Sequence, residues 1–197
     1  MAENLHEAGL TVALVEALDQ VMAPLDFEMA QLLHENILDN GVALHLGDAV
    51  ESFADDGSSV TVKLASGAAL TADLVILSIG VRPNGKLAAD AGLAVNQRGG
   101  IVVDKSLRTS DESIYAIGDV IEVADLVSGE PVMVPLAGPA NKQGRMVADI
   151  ICGRALEYKG TQGTSVAKVF DLTAASTGAN EKTLRRRGLC AARITTA

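Results

Sequence analysis

The chain has almost no aromatic surface to build a core from. Tryptophan is absent, Phe and Tyr bring the aromatic share to only 3%, and packing is left to Val, Leu, Ile and Ala. That favours an α/β core. Long apolar runs are missing too: stretches such as Leu74–Leu77 and Ile101–Val103 fall far short of the roughly 20 residues a membrane-crossing helix needs, so no membrane span is expected. The start, MAENLHEAGL, has neither a basic opening nor an apolar signal core, and a cytoplasmic protein is expected. Positive charge is scarce, with 16 Lys and Arg against 25 Asp and Glu for a net charge of -9, so nucleic acid is not expected as a partner. The basic run Arg185–Arg187 reads as a solvated helix face, or as a contact for an anionic substrate.

Two cysteines 38 positions apart, Cys152 and Cys190, make neither a disulfide framework nor a metal pair. Both are expected to be inert thiols. His6, His34 and His45 are scattered without carboxylates or cysteines at ligand spacing, so no metal site and no catalytic residue are assigned. Another absence bears on function: none of the 19 glycines forms Gly-x-Gly-x-x-Gly, the loop whose backbone N–H groups cradle a pyrophosphate.

What is present alternates strand and helix. Ala2–Gly9 reads as the end of a helix stopped by glycine, and Leu10–Val15 as a buried strand ending in Glu16. Pro24 and Asp26 open a helix to about Asn40 with Phe27, Ala30, Leu33 and Ile37 on one face, Gly41 ends it, and Val42–Leu46 follows as a strand. Val60–Leu64 and Ala69–Ala72 form a hairpin feeding a central strand at Leu74–Leu77. After the break at Gly80–Asn84 come strands at Ile101–Val103 and Ile114–Ile117, and a helix at Ala140–Ile151 stopped by Gly153. From about Gly160 the composition shifts, with a strand at Val166–Leu172 and a helix at Glu181–Arg187.

Two acidic residues at strand ends are candidates for ligand binding. In a nucleotide-binding βαβ unit the acid closing the second strand accepts hydrogen bonds from ribose hydroxyls, about 20 residues beyond the glycine loop. Glu16 has that place, and the loop would fall before Met1; a solvated surface carboxylate is the alternative. No Arg or Lys lies between Leu10 and Gln20, so NADH is favoured over NADPH. The stronger signal spans Thr109 to Asp119, where the apolar run Ile114–Ile117 leads into Gly118 and Asp119. Glycine permits close backbone approach and Asp119 offers a carboxylate at the sheet edge, unless the pair is only a turn after a core strand.

This segment resembles the FAD-closing motif of the pyridine nucleotide-disulfide oxidoreductase family. Ile79-Gly80-Val81-Arg82-Pro83-Asn84 looks like the family's exit from its NAD domain, and Val134–Arg145 like the segment that sets a helix N-terminus under the flavin. Gly163–Gly178 with Asn180, Glu181 and Lys182 resembles the start of the interface domain of coenzyme A-disulfide and -persulfide reductases and NADH oxidases, which are homodimers. The resemblance implies a three-layer FAD/NAD(P)-binding Rossmann-like α/β fold, incomplete at its N-terminus, plus the start of an α+β dimerisation domain. It divides the chain into 1–80 (NAD(P)-binding), 81–156 (FAD-binding) and 157–197 (interface).

The function it implies is hydride transfer from NAD(P)H through FAD to a small-molecule disulfide or persulfide such as that of coenzyme A. An NADH oxidase and a catalytically inactive truncated fragment are the alternatives. Asp119 would bind the flavin ribitol with Gly118 beside it, Leu136 and Ala137 would offer backbone contacts to the flavin, Glu16 would hold the nicotinamide nucleotide, and Gly80 would permit approach near its ring. The family's two glycine loops and its redox cysteine have no counterpart in these residues.

Overall fold

The computed structural model of the chain describes residues 1–189. Cys190 lies outside them. The described residues divide into two compact units, one of residues 1–78, 166–176 and 180–189, the other of residues 79–165 and 177–179.

The first unit is built on a strand, helix, strand arrangement. Helix α1 (Ala2–Glu7) precedes strand β1 (Ala13–Glu16), helix α2 (Phe27–Asp39) and strand β2 (Ala43–Leu46). β1 and β2 pair in parallel from Ala13 opposite Ala43 to Glu16 opposite Leu46. The residues of α2 that are buried, Ala30, Leu33, His34 and Ile37, recur at the three- and four-residue spacing of one helix face, whereas Phe27 at its start is 48% exposed. Asp26 precedes the helix in extended conformation without capping it, and its carboxylate accepts the Glu181 N–H at 3.0 Å.

The end of α2 is a Schellman motif. Gly41, at φ +79°, donates to the Leu38 carbonyl at 2.9 Å, and Val42 donates to Ile37 at 3.2 Å, so the last carbonyls are satisfied and the chain turns into β2. The core of this unit gathers Val21, Leu33, Ile37 and Val42 with Ala174. Ala174 belongs to a two-stranded sheet of β9 (Ser165–Val169) and β10 (Leu172–Ser176), and the following helix α5 (Glu181–Arg186) is tied to the same unit by Lys182 Nζ, which donates to Gln20 Oε1 at 2.9 Å.

A meander of β3 (Val50–Asp55), β4 (Val60–Leu64) and β5 (Ala69–Ala72) completes the unit, antiparallel throughout. The hairpin expected at 60–72 is there. β3 escaped the sequence reading because it is exposed along its whole length and carries no apolar stripe. The central strand expected at Leu74–Leu77 does not form: the run makes no ladder, and Leu74 and Leu77 are 67% and 63% exposed. A continuous apolar run becomes a strand only between ladder partners, and none of the described residues supplies them.

The second unit holds helix α3 (Lys86–Asp90), strands β6 (Ile101–Val102), β7 (Ile121–Ala124) and β8 (Pro131–Val132), and helix α4 (Ala137–Ile151). β7 pairs with β6 in parallel and with β8 antiparallel. Its core is Leu107, Ala116, Ile121, Val123 and Tyr158, on which Met146 and Val147 of α4 pack. Here too one expectation is corrected. Ile114–Ile117 is no buried four-residue strand; it makes a single bridge, Tyr115 to Arg108, and only Ala116 is buried. The pairing that orders this region is instead that of β7, just beyond Asp119.

None of the helices among the described residues is long and apolar enough to cross a membrane.

Two consequences for stability can be measured. Leu64 on β4 is fully buried, so Leu64→Ala is expected to lower the unfolding free energy by about 2–5 kcal/mol in urea titrations, while Leu74→Ala changes little. His34 is buried at 6% exposure, its Nε2 accepts the Val21 N–H at 3.1 Å, and burial holds its pKa below the ordinary value against the opposing charge of Asp19. A neutral imidazole is thus favoured by folding, and the unfolded chain takes up the proton first, below a pH of about 6.5. The urea midpoint should fall between pH 7.5 and 5.5, with a smaller fall in His34→Gln; an equal fall in both would remove His34 as the source.

Candidate functional site

Glu16 closes β1 at the carboxyl edge of the parallel β1–β2 pair, half-buried. Its carboxylate accepts the Leu18 N–H at 3.0 Å and its backbone carbonyl accepts the Asp48 N–H at 3.2 Å. Among the described residues it has no ion pair, so a second carboxylate oxygen remains open to a donor. Glu16 belongs to the first compact unit, and the other candidate residues to the second.

Those others are positioned around one turn. Ile117 is fully extended (φ -145°, ψ 167°), Gly118 then takes φ +83°, and a single 3-10 turn of Gly118–Val120 leads into β7. A side chain at Gly118 would be strained in this left-handed backbone, which glycine adopts freely. The Gly118 N–H donates to Oε1 of Gln143 at 2.7 Å, and Gln143, 3% exposed, sits in the middle of α4. Turn and helix are locked by that bond. Asp119 follows with its carboxylate exposed.

Leu136 and Ala137 form the start of α4. Leu136 is the N-cap in extended conformation (φ -134°, ψ 139°), and no side chain caps the helix. Pro139 has no N–H, so the Ala137 and Gly138 N–H groups carry the positive end of a 15-residue helix without an internal acceptor. Asp119 and Ala137 line the same open groove, with Ala140, Asn141 and Gly144 along its floor. An acceptor carboxylate and the first residue of an uncapped helix thus line one groove.

Gly80, at φ +94°, is exposed, and a Cβ there would meet nothing within 4 Å. It leads into the segment of Val81, Arg82 and Pro83 that lines a second cavity of about 370 Å³, which Asp119 also lines. Cys152 is exposed at the C-terminal cap of α4, and among the described residues no group of three His, Cys, Asp or Glu side chains could hold a metal ion.

The sequence reading passed over Gln143. A lone amide in an apolar helix face was the only signal for it, and its partner lies 25 residues away.

The chain is similar to known proteins over nearly its whole length. The family model for pyridine nucleotide-disulphide oxidoreductases matches residues 1–144. An NAD(P)H sulfur oxidoreductase (CoA-dependent) of Pyrococcus furiosus is 31% identical over 95% of this chain and 42% of its own length. An NADH oxidase of Enterococcus faecalis is 34% identical over 96% of this chain and 43% of its own. Among solved structures, the crystal structure of reduced Bacillus anthracis CoADR-RHD superposes with a TM-score of 0.93 at 52% identity, covering 96% of this chain and 34% of that one. The chain therefore spans less than half the length of the relatives it matches.

Removing the lock should loosen the site. Gln143→Leu leaves the half-buried Gly118 N–H without its side-chain acceptor, which costs up to about 1–3 kcal/mol. Urea unfolding is expected to show that loss together with faster amide exchange at Gly118 and Asp119, whereas Asn141→Ala on the open face of α4 changes neither; normal exchange in Gln143→Leu contradicts the lock.

Proposed function

Because the family model covers residues 1–144, the chain belongs to the pyridine nucleotide-disulphide oxidoreductase family, and we propose that it supplies flavin- and nicotinamide-binding residues to a protein of its relatives' full length. The activity proposed is transfer of hydride from NAD(P)H, NADH favoured, through FAD to a small-molecule disulfide or persulfide such as that of coenzyme A. The observation that carries the reading is the Gly118–Asp119 turn, fastened by Gln143 to the helix whose uncapped start shares its groove.

The residues present fit a flavin on two counts. The Asp119 carboxylate accepts hydroxyl groups of a ribityl chain, and Gly118 keeps the approach to it clear. The Leu136–Ala137 start of α4 sets backbone donors and a positive dipole end where an electron-rich ring edge needs them. A bound flavin would accept hydride from the nicotinamide and hand electrons on to sulfur. The side chains orient and stabilise: Glu16 takes ribose hydroxyls of the nicotinamide nucleotide, and with no Lys or Arg from Leu10 to Gln20 there is no cation to hold a 2′-phosphate. Gly80 leaves room for close backbone approach to the nicotinamide ring.

These roles follow a division into 1–80 for NAD(P), 81–156 for FAD and 157–197 as the beginning of an interface domain, and the boundary between the compact units after Ser78 supports the first break. Homodimerisation through that last segment and a cytoplasmic setting complete the proposal; two cysteines without a disulfide framework support the setting. A second reading, electron transfer to oxygen, is favoured by the 34% identity to the Enterococcus faecalis NADH oxidase.

Flavin binding by the chain itself tests the reading. Titration with FAD should give saturable fluorescence quenching, and Asp119→Ala should weaken it about tenfold to a hundredfold, the loss of a hydrogen bond to a charged group at about 1.5–3 kcal/mol. Absence of saturable quenching by the unaltered chain removes the flavin from these residues. Separately, Glu16→Ala should narrow the preference for NADH over NADPH in nicotinamide-nucleotide binding; an unaltered ratio removes Glu16 from the ribose.

A further inference from the structure

From the end of β1 to the start of α2 the chain runs through residues 17–26 without helix or strand. A connecting loop is ordinarily solvated, yet Gln20 and Val21 in this one are only 3% and 8% exposed. The loop is folded around the Gln20 side chain, whose Nε2 donates to the carbonyls of Val21 at 3.4 Å, Met22 at 3.5 Å and Leu25 at 3.1 Å. The Val21 N–H is taken by His34 of α2, and Met22 stands at φ +52°, a left-handed conformation that a residue with a side chain keeps only where its surroundings impose it.

Part of what imposes it comes from far along the chain. Lys182, 162 residues beyond Gln20, donates from Nζ to Gln20 Oε1 at 2.9 Å and to the Ala23 carbonyl at 3.1 Å. The residues beside it engage the same loop: Asn180 Nδ2 donates to the Pro24 carbonyl at 2.9 Å, and the Glu181 N–H to the Asp26 carboxylate at 3.0 Å. At its other end the loop holds Glu16. The Leu18 N–H donates to Glu16 Oε1 at 3.0 Å while the Leu18 carbonyl accepts the Gly47 N–H at 2.7 Å, and only Asp19 separates Leu18 from Gln20. All of these residues belong to the first compact unit.

We infer that Lys182 is a positioning residue for Glu16, acting through Gln20 and the Leu18 N–H to aim the carboxylate at the ribose hydroxyls of the nicotinamide nucleotide. The inference rests on the nucleotide reading of Glu16 and deepens it. An ammonium donating to an amide oxygen and a carbonyl makes charge-assisted bonds, which are shorter and stronger than neutral ones, so the clamp outweighs the loop's own contacts with Gln20. Its grip exists only while α5 is docked. Docking of α5 and binding of the nucleotide are therefore coupled, and such coupling acts equally in both directions.

Titrating the full chain with NADH and NADPH, followed by nucleotide fluorescence, tests it. Lys182→Met is expected to weaken NADH about threefold to tenfold, the size of a coupling within one hydrogen-bond network, while Lys182→Arg keeps most of the affinity and Arg186→Gln, exposed on the same helix, changes nothing. In a Glu16→Ala background Lys182→Met should cost nothing further. Circular dichroism verifies that each variant folds. A second measurement needs no variant: saturating NADH should slow amide exchange at Glu181, whose N–H belongs to the docked turn, and leave Gly67 in the β4–β5 turn as it was. Unaltered NADH affinity in a folded Lys182→Met chain, an equal loss with and without Glu16, or unaltered exchange at Glu181 overturns the positioning role and leaves the nucleotide reading of Glu16 standing. A loss confined to NADPH identifies Lys182 as a direct partner of a 2′-phosphate and overturns the positioning role as well. Failure of the unaltered chain to bind NADH overturns the nucleotide reading and the positioning role together.

Discussion

A 2.7 Å hydrogen bond from the Gly118 N–H to the Gln143 side chain determines where the candidate site of the second unit can be. Gly118 turns the chain by a backbone conformation that strains residues with a side chain, and the turn would be free to swing if its N–H faced water. Bonding that N–H to a buried amide in the middle of α4 ties the direction of Asp119 to the axis of the helix. The helix start, the groove beside it and the arginine-lined cavity are then parts of one frame, because Asp119 lines both openings.

What could be read from the sequence was local. α2 lies between Asp26 and Gly41 as its apolar spacing and glycine stop indicate, and α4 ends at Gly153 in the same way, with Gly153 and Arg154 donating to Ile150 and Asp149. Such signals consist of neighbours within a few residues, so composition carries them. β4 and β5 were legible because alternation and a Ser66–Gly67 turn sit side by side. The start of α4 at Ala137 came three residues earlier than its apolar pattern indicates, since Ala137, Gly138 and Pro139 have no amphipathic signature.

The misses share a physical cause. Leu74–Leu77 and Ile114–Ile117 have the composition of buried strands, but a strand is a property of a pair, and the described residues supply no ladder for either. β3 and β7 show the converse, modest sequences made into strands by what lies alongside. The candidate site was legible in the same uneven way. Glu16, Gly118 and Asp119 were visible as residues at the ends of apolar runs, and Leu136 and Ala137 through a resemblance; the partnership of Gln143 with Gly118 and that of Lys182 with Gln20 depend on contacts between distant positions.

The stretch from Leu74 to Val81 has a bearing on how the purified protein must be handled. Leu74, Leu77, Ile79 and Val81 are each more than three-fifths exposed, which places greasy side chains on backbone that makes no ladder of its own. Such a ribbon is a template for intermolecular sheet growth, and the net charge of -9 is the chief colloidal brake against it. Salt weakens that brake, and so does any buffer near the isoelectric point of about 4.7, so the conditions that quiet electrostatics in a binding assay are also those that drive this chain toward clumping.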